Sequence, residues 1–82
     1  MDLAILAHTI IAGEGVTERE LRSGSRRPDV VKARRVFCQV AVQGMGYSGA
    51  GVARFLGVTT SSVNRLAVSE ELPEVKRYLK TL

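Results

Sequence analysis

Eighty-two residues suffice for one small domain and exclude a two-domain enzyme, a barrel or a complete dinucleotide-binding fold. Hydrophobic residues at 45% and charged residues at 24% are the proportions of a folded chain, and with 5% aromatics and no tryptophan the core falls to Ala, Val, Leu and Ile. Twelve Lys and Arg against eight Asp and Glu leave a net charge of +4, which leans toward a binding module and fits either a footprint for a polyanion or a solvated basic surface.

The first predicted element is a short helix over Leu3 to Ala12, apolar on most sides, with Gly13 and Gly15 as its stop. Such a helix must bury against the rest of the domain or against a second copy. Thr17-Glu-Arg-Glu20 has the spacing of a capping box and predicts a helical turn through Leu21, closed around Ser23-Gly24-Ser25. Arg26 and Arg27 follow in this basic loop. Pro28 and Asp29 then open a long helix, proline being tolerated in a first turn and the acid suiting the positive end of the helix dipole. Val30, Ala33, Phe37, Val40 and Ala41 recur at three- and four-residue intervals and mark its buried face. Lys32, Arg35 and Gln39 fall on the opposite side, with Arg34 at the boundary, and Gly44 and Gly46 end the helix. Ser48 can cap a helix through Leu56, Gly57 breaks it, and Thr59 or Thr60 can cap another with Val63, Leu66 and Ala67 on one face. Pro73 opens a last helix carrying Val75, Tyr78, Leu79 and Leu82. No stretch alternates with period two long enough to argue a strand, so the predicted fold is all-α, a single small multi-helix domain: basic loop and long helix over 23–44, paired short helices over 48–68, C-terminal helix over 73–82.

Cys38 has no disulfide partner and with the single His8 cannot complete a zinc site, so no metal or cofactor is expected and packing alone must hold the fold, as suits the reducing cytoplasm. Cys38 reads as a small core residue. The apolar run Leu3 to Ala12 is shorter than the ~20 residues a membrane span needs, and Asp2 stands where a secretory signal would be basic. No membrane association is expected.

The charge is concentrated. From Arg22 to Arg65 there are eight basic residues and one acid, a net +7, between acidic and neutral ends. Within this block, Gly44-Met-Gly-Tyr-Ser-Gly49 spells the dinucleotide-binding fingerprint, but a helix precedes it where that motif requires a strand. Those glycines read as a helix stop and a loop.

The stretch from Gly49 to Val68 has helix-turn-helix spacing. Ala53 is small where two helices would meet, Gly57 four residues on tolerates a left-handed turn, and Val63 six further on is a branched apolar plug. A tight helical corner without a DNA role would need Ala53 and Gly57 too; the coincident basic block favours DNA. Thr59, Thr60, Ser61, Ser62, Asn64 and Arg65 are then the outward positions of the second helix. Asn64 can pair bidentately with adenine and Arg65 with guanine, Thr methyls can touch thymine, and hydroxyls at a helix start suit phosphate.

The segment Ser25-Arg-Arg-Pro-Asp-Val-Val-Lys-Ala-Arg-Arg-Val-Phe-Cys-Gln-Val-Ala41 resembles the basic loop and long helix of the C-terminal DNA-binding domain of the replication initiator DnaA, a Trp repressor-like helix-turn-helix, and the likeness runs over about Val16 to Ala67. The resemblance implies that Arg26 or Arg27 reaches the minor groove and that Lys32 and Arg34 hold phosphates. In place of the Asp-His-Thr-Thr signature with which DnaA reads its box stand Val58-Thr-Thr-Ser61 or Thr59-Thr-Ser-Ser62, according to where a one-residue gap falls, so a different target is implied. Arg22-Ser-Gly-Ser-Arg-Arg27 with Gly46-Tyr-Ser-Gly-Ala-Gly-Val-Ala-Arg-Phe-Leu-Gly-Val58 looks more like the DnaA-like tail of repeat-associated tyrosine transposases. The catalytic His pair and nucleophilic tyrosine site of those enzymes have no counterpart here, so no catalytic residue and no enzyme is expected.

The expected function is therefore sequence-specific double-stranded DNA binding by a transposase-associated recognition domain without its catalytic part. The alternatives are a small transcriptional repressor and a helical protein-interaction module, adaptor or antitoxin-like, with Leu3 to Ala12 or the C-terminal helix as its homodimer face.

Overall fold

A computed structural model describes residues 2–81. Among the described residues the chain forms six helices and no strand: α1 (Leu3–Glu14), α2 (Glu18–Leu21), α3 (Pro28–Cys38), α4 (Gly49–Leu56), α5 (Thr60–Val68) and α6 (Pro73–Thr81). The fold is all-α, and among the described residues no helix is long and apolar enough to cross a membrane. Leu82, expected on the apolar face of the last helix, lies outside the described residues.

Local chemistry sets most boundaries. Asp2 accepts from the Ile5 amide at the start of α1. Thr17 Oγ1 accepts from the Glu20 amide at 3.0 Å and Glu20 Oε1 from the Thr17 amide at 2.9 Å, which completes the capping box of α2. Ser48 caps α4 and Thr59 caps α5. Pro28 occupies the first turn of α3, as expected. Beyond Cys38 the helix continues from Gln39 to Gly44 as a wider π-helical turn, which hydrophobic spacing did not anticipate.

The core gathers on α3. Phe37, Val30, Ala33, Val36 and Cys38 of that helix are fully buried, against Leu6 and Ile10 of α1, Leu21 of α2, Val52 and Leu56 of α4 and Val63 of α5. Cys38 is a core residue as expected, and burial pushes its thiol up to about 12. Phe37 stacks on Phe55 with ring centroids 5.7 Å apart, and the Arg22 guanidinium sits 4.3 Å above the Phe55 ring. Arg22 Nε also donates to the Phe55 carbonyl at 2.8 Å, which fastens the end of α2 to α4.

Helix α6 closes the far side. Its Val75 and Tyr78 are buried, so the apolar face expected to serve a second copy is largely used within the chain. Tyr78 donates its hydroxyl proton to Glu14 at 2.7 Å, and Lys32 Nζ lies 2.7 Å from Glu74 Oε2. That hydrogen bond holds the Glu74 carboxyl below and the Lys32 ammonium above their ordinary ranges. Gly13 does not stop α1, contrary to the sequence expectation; the helix runs through it to Gly15, whose φ of 71° forms the left-handed cap. The reason for glycine at position 13 is Tyr78: a Cβ there would overlap the hydroxyl and lie 2.8 Å from Cζ. Alanine favours a helix by about 1 kcal/mol over glycine, yet Gly13→Ala is expected to destabilise by about 1–2 kcal/mol through this overpacking. Thermal or urea unfolding checks the sign, and any net stabilisation would remove α6 docking as the cause.

Candidate nucleic-acid interface

Helices α4 and α5 pack on one another, α5 also on α3 and α4 on the π-helical turn, with the Phe37–Phe55 stack joining α4 to α3. Their junction turns at Gly57. The Ala53 carbonyl accepts from both Gly57 N at 2.9 Å and Val58 N at 3.1 Å, Gly57 takes φ 74°, and Val63 returns fully buried to the core. A left-handed conformation at Gly57 costs glycine nothing and would strain any other residue. The hydroxyl and amide positions of α5 are thus turned away from the core: Thr59, Thr60, Ser61, Asn64 and Arg65 are exposed, and Ser62 is half-buried.

A cleft of about 270 Å³ opens between α5 and the basic loop. Gly24, Ser25 and Arg26 form the loop side, Val31 and Arg34 the α3 side, and Val58, Ser62, Arg65 and Leu66 the α5 side. Three of the predicted cations, Arg26, Arg34 and Arg65, and one predicted hydroxyl, Ser62, therefore share one concavity. No carboxylate lines it.

The remaining expected contacts are placed differently. Arg34 was expected to reach out for phosphate; it is 7% exposed, and its guanidinium donates to the carbonyls of Leu21 at 3.4 Å and Ser25 at 3.2 Å. It braces the loop from inside, and burial lowers its pKa. Arg27 lies on the surface with Nη1 2.7 Å from Glu20 and Nη2 3.2 Å from Asp29, so its charge is already matched. Lys32 stands two residues before Arg34, about 200° around the helix, and faces Glu74 of α6 instead of the cleft. Asn64 does not line the cleft: its carboxamide lies over Gly49 at the start of α4, where a Cβ would come within 3.1 Å of Cγ. Thr59 serves as the cap, its Oγ1 3.1 Å from the Ser62 amide, which leaves Thr60 and Ser61 as the free hydroxyls of the first turn.

Three structural residues of this region escaped the sequence reading. Ser25 supplies the carbonyl that Arg34 grips, and its Oγ accepts from the Arg27 amide at 3.4 Å, shaping the loop. Gln39, expected on the solvent side of α3, is buried at 2% exposure and bonds the segment that leaves α5. Arg35, also expected outside, donates to Ser69 Oγ at 2.8 Å and to the Glu70 carbonyl. Both face the 69–72 segment, whose Ser69 and Glu70 carbonyls or hydroxyl accept from their side chains. Comparison with protein-family models, curated proteins and solved structures finds no match to the chain.

Proposed function

We propose that this protein binds double-stranded DNA, with α4, the Gly57 turn and α5 acting as a helix-turn-helix and the 22–27 loop as a second point of contact. The observation that carries this reading is the cleft: cationic Arg26, Arg34 and Arg65 gather beside the exposed polar face of α5, and among the described residues no acid lines it. On this reading α5 enters the major groove, Thr60, Ser61 and Asn64 meet base edges, and Arg65 and Arg26 hold the flanking backbone or minor groove. Such a domain would serve in the cytoplasm as the recognition part of a transposase-like system or as a small repressor, in keeping with the resemblance to DnaA-like tails.

Fluorescence anisotropy of labelled duplexes selected from a random pool tests the proposal. With about three phosphates neutralised, log Kd against log salt is expected to have a slope of magnitude near 3. Arg65→Ala should weaken all duplexes alike and reduce that slope by about one, whereas Asn64→Ala should alter which duplexes are preferred. Absence of binding to any pool member at low salt would remove the reading.

One observation favours a second reading, a helical interaction module. Ile5 is 50% exposed on α1, a helix with no Asp, Glu, Lys or Arg between Leu3 and Gly13. A stable dimer in sedimentation, broken by Ile5→Lys and indifferent to duplex DNA, would favour it over the first.

A further inference from the structure

Among the described residues, three of the twelve Lys and Arg pair with an acid: Arg27 with Glu20 and Asp29, Lys32 with Glu74, and Arg77, 3.9 Å from Glu14. The other unpaired cations are exposed or half-buried and keep their water; Arg34 is the one buried cation among the described residues. No carboxylate lies within 4.0 Å of it there, and its hydrogen bonds go to two neutral carbonyls. Its nearest titratable neighbour, the Cys38 thiol one helical turn on, is neutral. A buried charge without a counter-charge is costly, since water's solvation is lost and no anion replaces it.

The place for the missing anion is already present. Arg34 lines the cleft, exposed Arg26 and Arg65 flank it, and the Ser25 and Ser62 hydroxyls add neutral donors. At about 270 Å³ the space lies below the roughly 300–1,000 Å³ of pockets for drug-sized ligands, and it suits a small hydrated oxyanion. Planar guanidinium groups match the tetrahedral oxygens of phosphate with paired hydrogen bonds.

We infer that the cleft between the 24–26 loop and α5 is a phosphate site whose occupancy supplies the counter-charge of Arg34 and thereby stabilises the folded protein. In solution inorganic phosphate fills it; on a nucleic acid a backbone phosphate takes the same seat. Only this last identification rests on the DNA-binding reading. Occupancy and folding are linked, because the ligand binds where the folded chain has assembled three arginines and the unfolded chain has not. The loop held by Arg34 is accordingly firmer with the site filled than empty.

Thermal unfolding of the full chain in inorganic phosphate, against sodium chloride at matched ionic strength, tests the site. Phosphate also stabilises proteins generally through exclusion from their surfaces, so the reference is the double variant R26Q/R65Q, whose exposed substitutions leave the core intact. At about ten times Kd the wild-type Tm is expected to rise about 8 °C more than that of the variant. An equal rise in both proteins overturns the site. Arg34 itself is not replaced, since it also braces the loop; its Nε–Hε resonance should move saturably with phosphate and stay still with chloride. Saturating duplex should abolish the phosphate-induced shift of that resonance, and a shift that persists on bound duplex overturns the shared seat. A protein that binds no duplex but responds to phosphate in the first two measurements upholds the site and removes only its owner on DNA.

Discussion

Phe37→Ala is expected to lower the stability of this domain by about 3–5 kcal/mol, read from the shift in the urea midpoint. Phe37 is the largest fully buried side chain, so its removal both forfeits transfer energy and leaves a cavity that the surrounding helices cannot close. The ring does more than fill space. It stacks on Phe55, whose other contacts are the guanidinium and the Nε–H of Arg22, so α3, α4 and the end of α2 are held in one column. An 82-residue domain stands near the lower end of the 5–15 kcal/mol range of native stabilities, so the variant should be substantially unfolded in mild denaturant. Phe37→Leu keeps most of the volume and should cost about half as much. Arg22→Ala, which removes an exposed cation from the ring and one hydrogen bond, should cost only about 1 kcal/mol. If Phe37→Ala cost less than Arg22→Ala, the column would not be the centre of the core. The functional consequence is geometric: the column fixes α4, α4 fixes α5, and the cleft exists only while α5 stands beside the loop.

The contrast between α3 and its neighbours shows which physics a linear sequence carries. Caps are local, and Thr17, Ser48 and Thr59 could be read from spacing because the donor and acceptor lie within three residues. The Ala53, Gly57 and Val63 spacing was legible for the same reason, since a left-handed turn and a returning plug are set by short-range sterics. Arg34 was half legible. Its row on the helix is Val30, Arg34, Cys38, a four-residue ladder whose other members are fully buried, and that periodicity already placed it inward. The sequence reading left it at the boundary of the buried face, and its outward phosphate role came from the resemblance to DnaA. Gly13 was misread as a stop because its reason for being glycine lies on α6, at Tyr78, more than sixty residues away in the chain; Gly44 does end its helix, and there too a Cβ would meet α6, at Leu79. The cleft was legible as a list of cations and not as a grouping. Which arginines meet an acid depends on where α6 docks, and nothing near Lys32 in the sequence announces Glu74.

Gln39 is the sharpest instance of that long-range dependence, and its replacement by leucine is expected to cost about 2–4 kcal/mol despite the nearly unchanged volume. The Gln39 carboxamide nitrogen lies within 3.3 Å of four oxygens: the carbonyls of Leu66, Ser69 and Glu70 and the Ser69 hydroxyl. Two N–H groups shared among four acceptors are supplemented by Arg35, which reaches Ser69 and Glu70 as well. On its other side Gln39 Oε1 accepts from the Leu72 amide at 3.0 Å. Leucine offers neither donor nor acceptor, so the chain between α5 and α6 would keep only Arg35 as its inner partner. Gln39→Glu separates the two halves of this arrangement. Its carboxyl keeps an acceptor for Leu72, but an ionised group would face carbonyl oxygens in a buried place, which raises its pKa in the folded state. Below the unfolded value of about 4.3 the variant should approach the wild type, and its stability should fall as pH rises from there toward the folded value, then level off. Urea midpoints of Q39L and Q39E between pH 3.5 and 7 measure both effects. A pH-independent loss in Q39E would mean that water reaches position 39 and that the crossing segment is not sealed over it. Because Arg35 and Gln39 grip the exit of α5 while the cleft borders its earlier turns, a sealed crossing has a functional corollary. Q39L should weaken phosphate binding in the cleft by less than R65Q does at temperatures where both are folded, since it loosens the far end of α5 and leaves the three arginines in place.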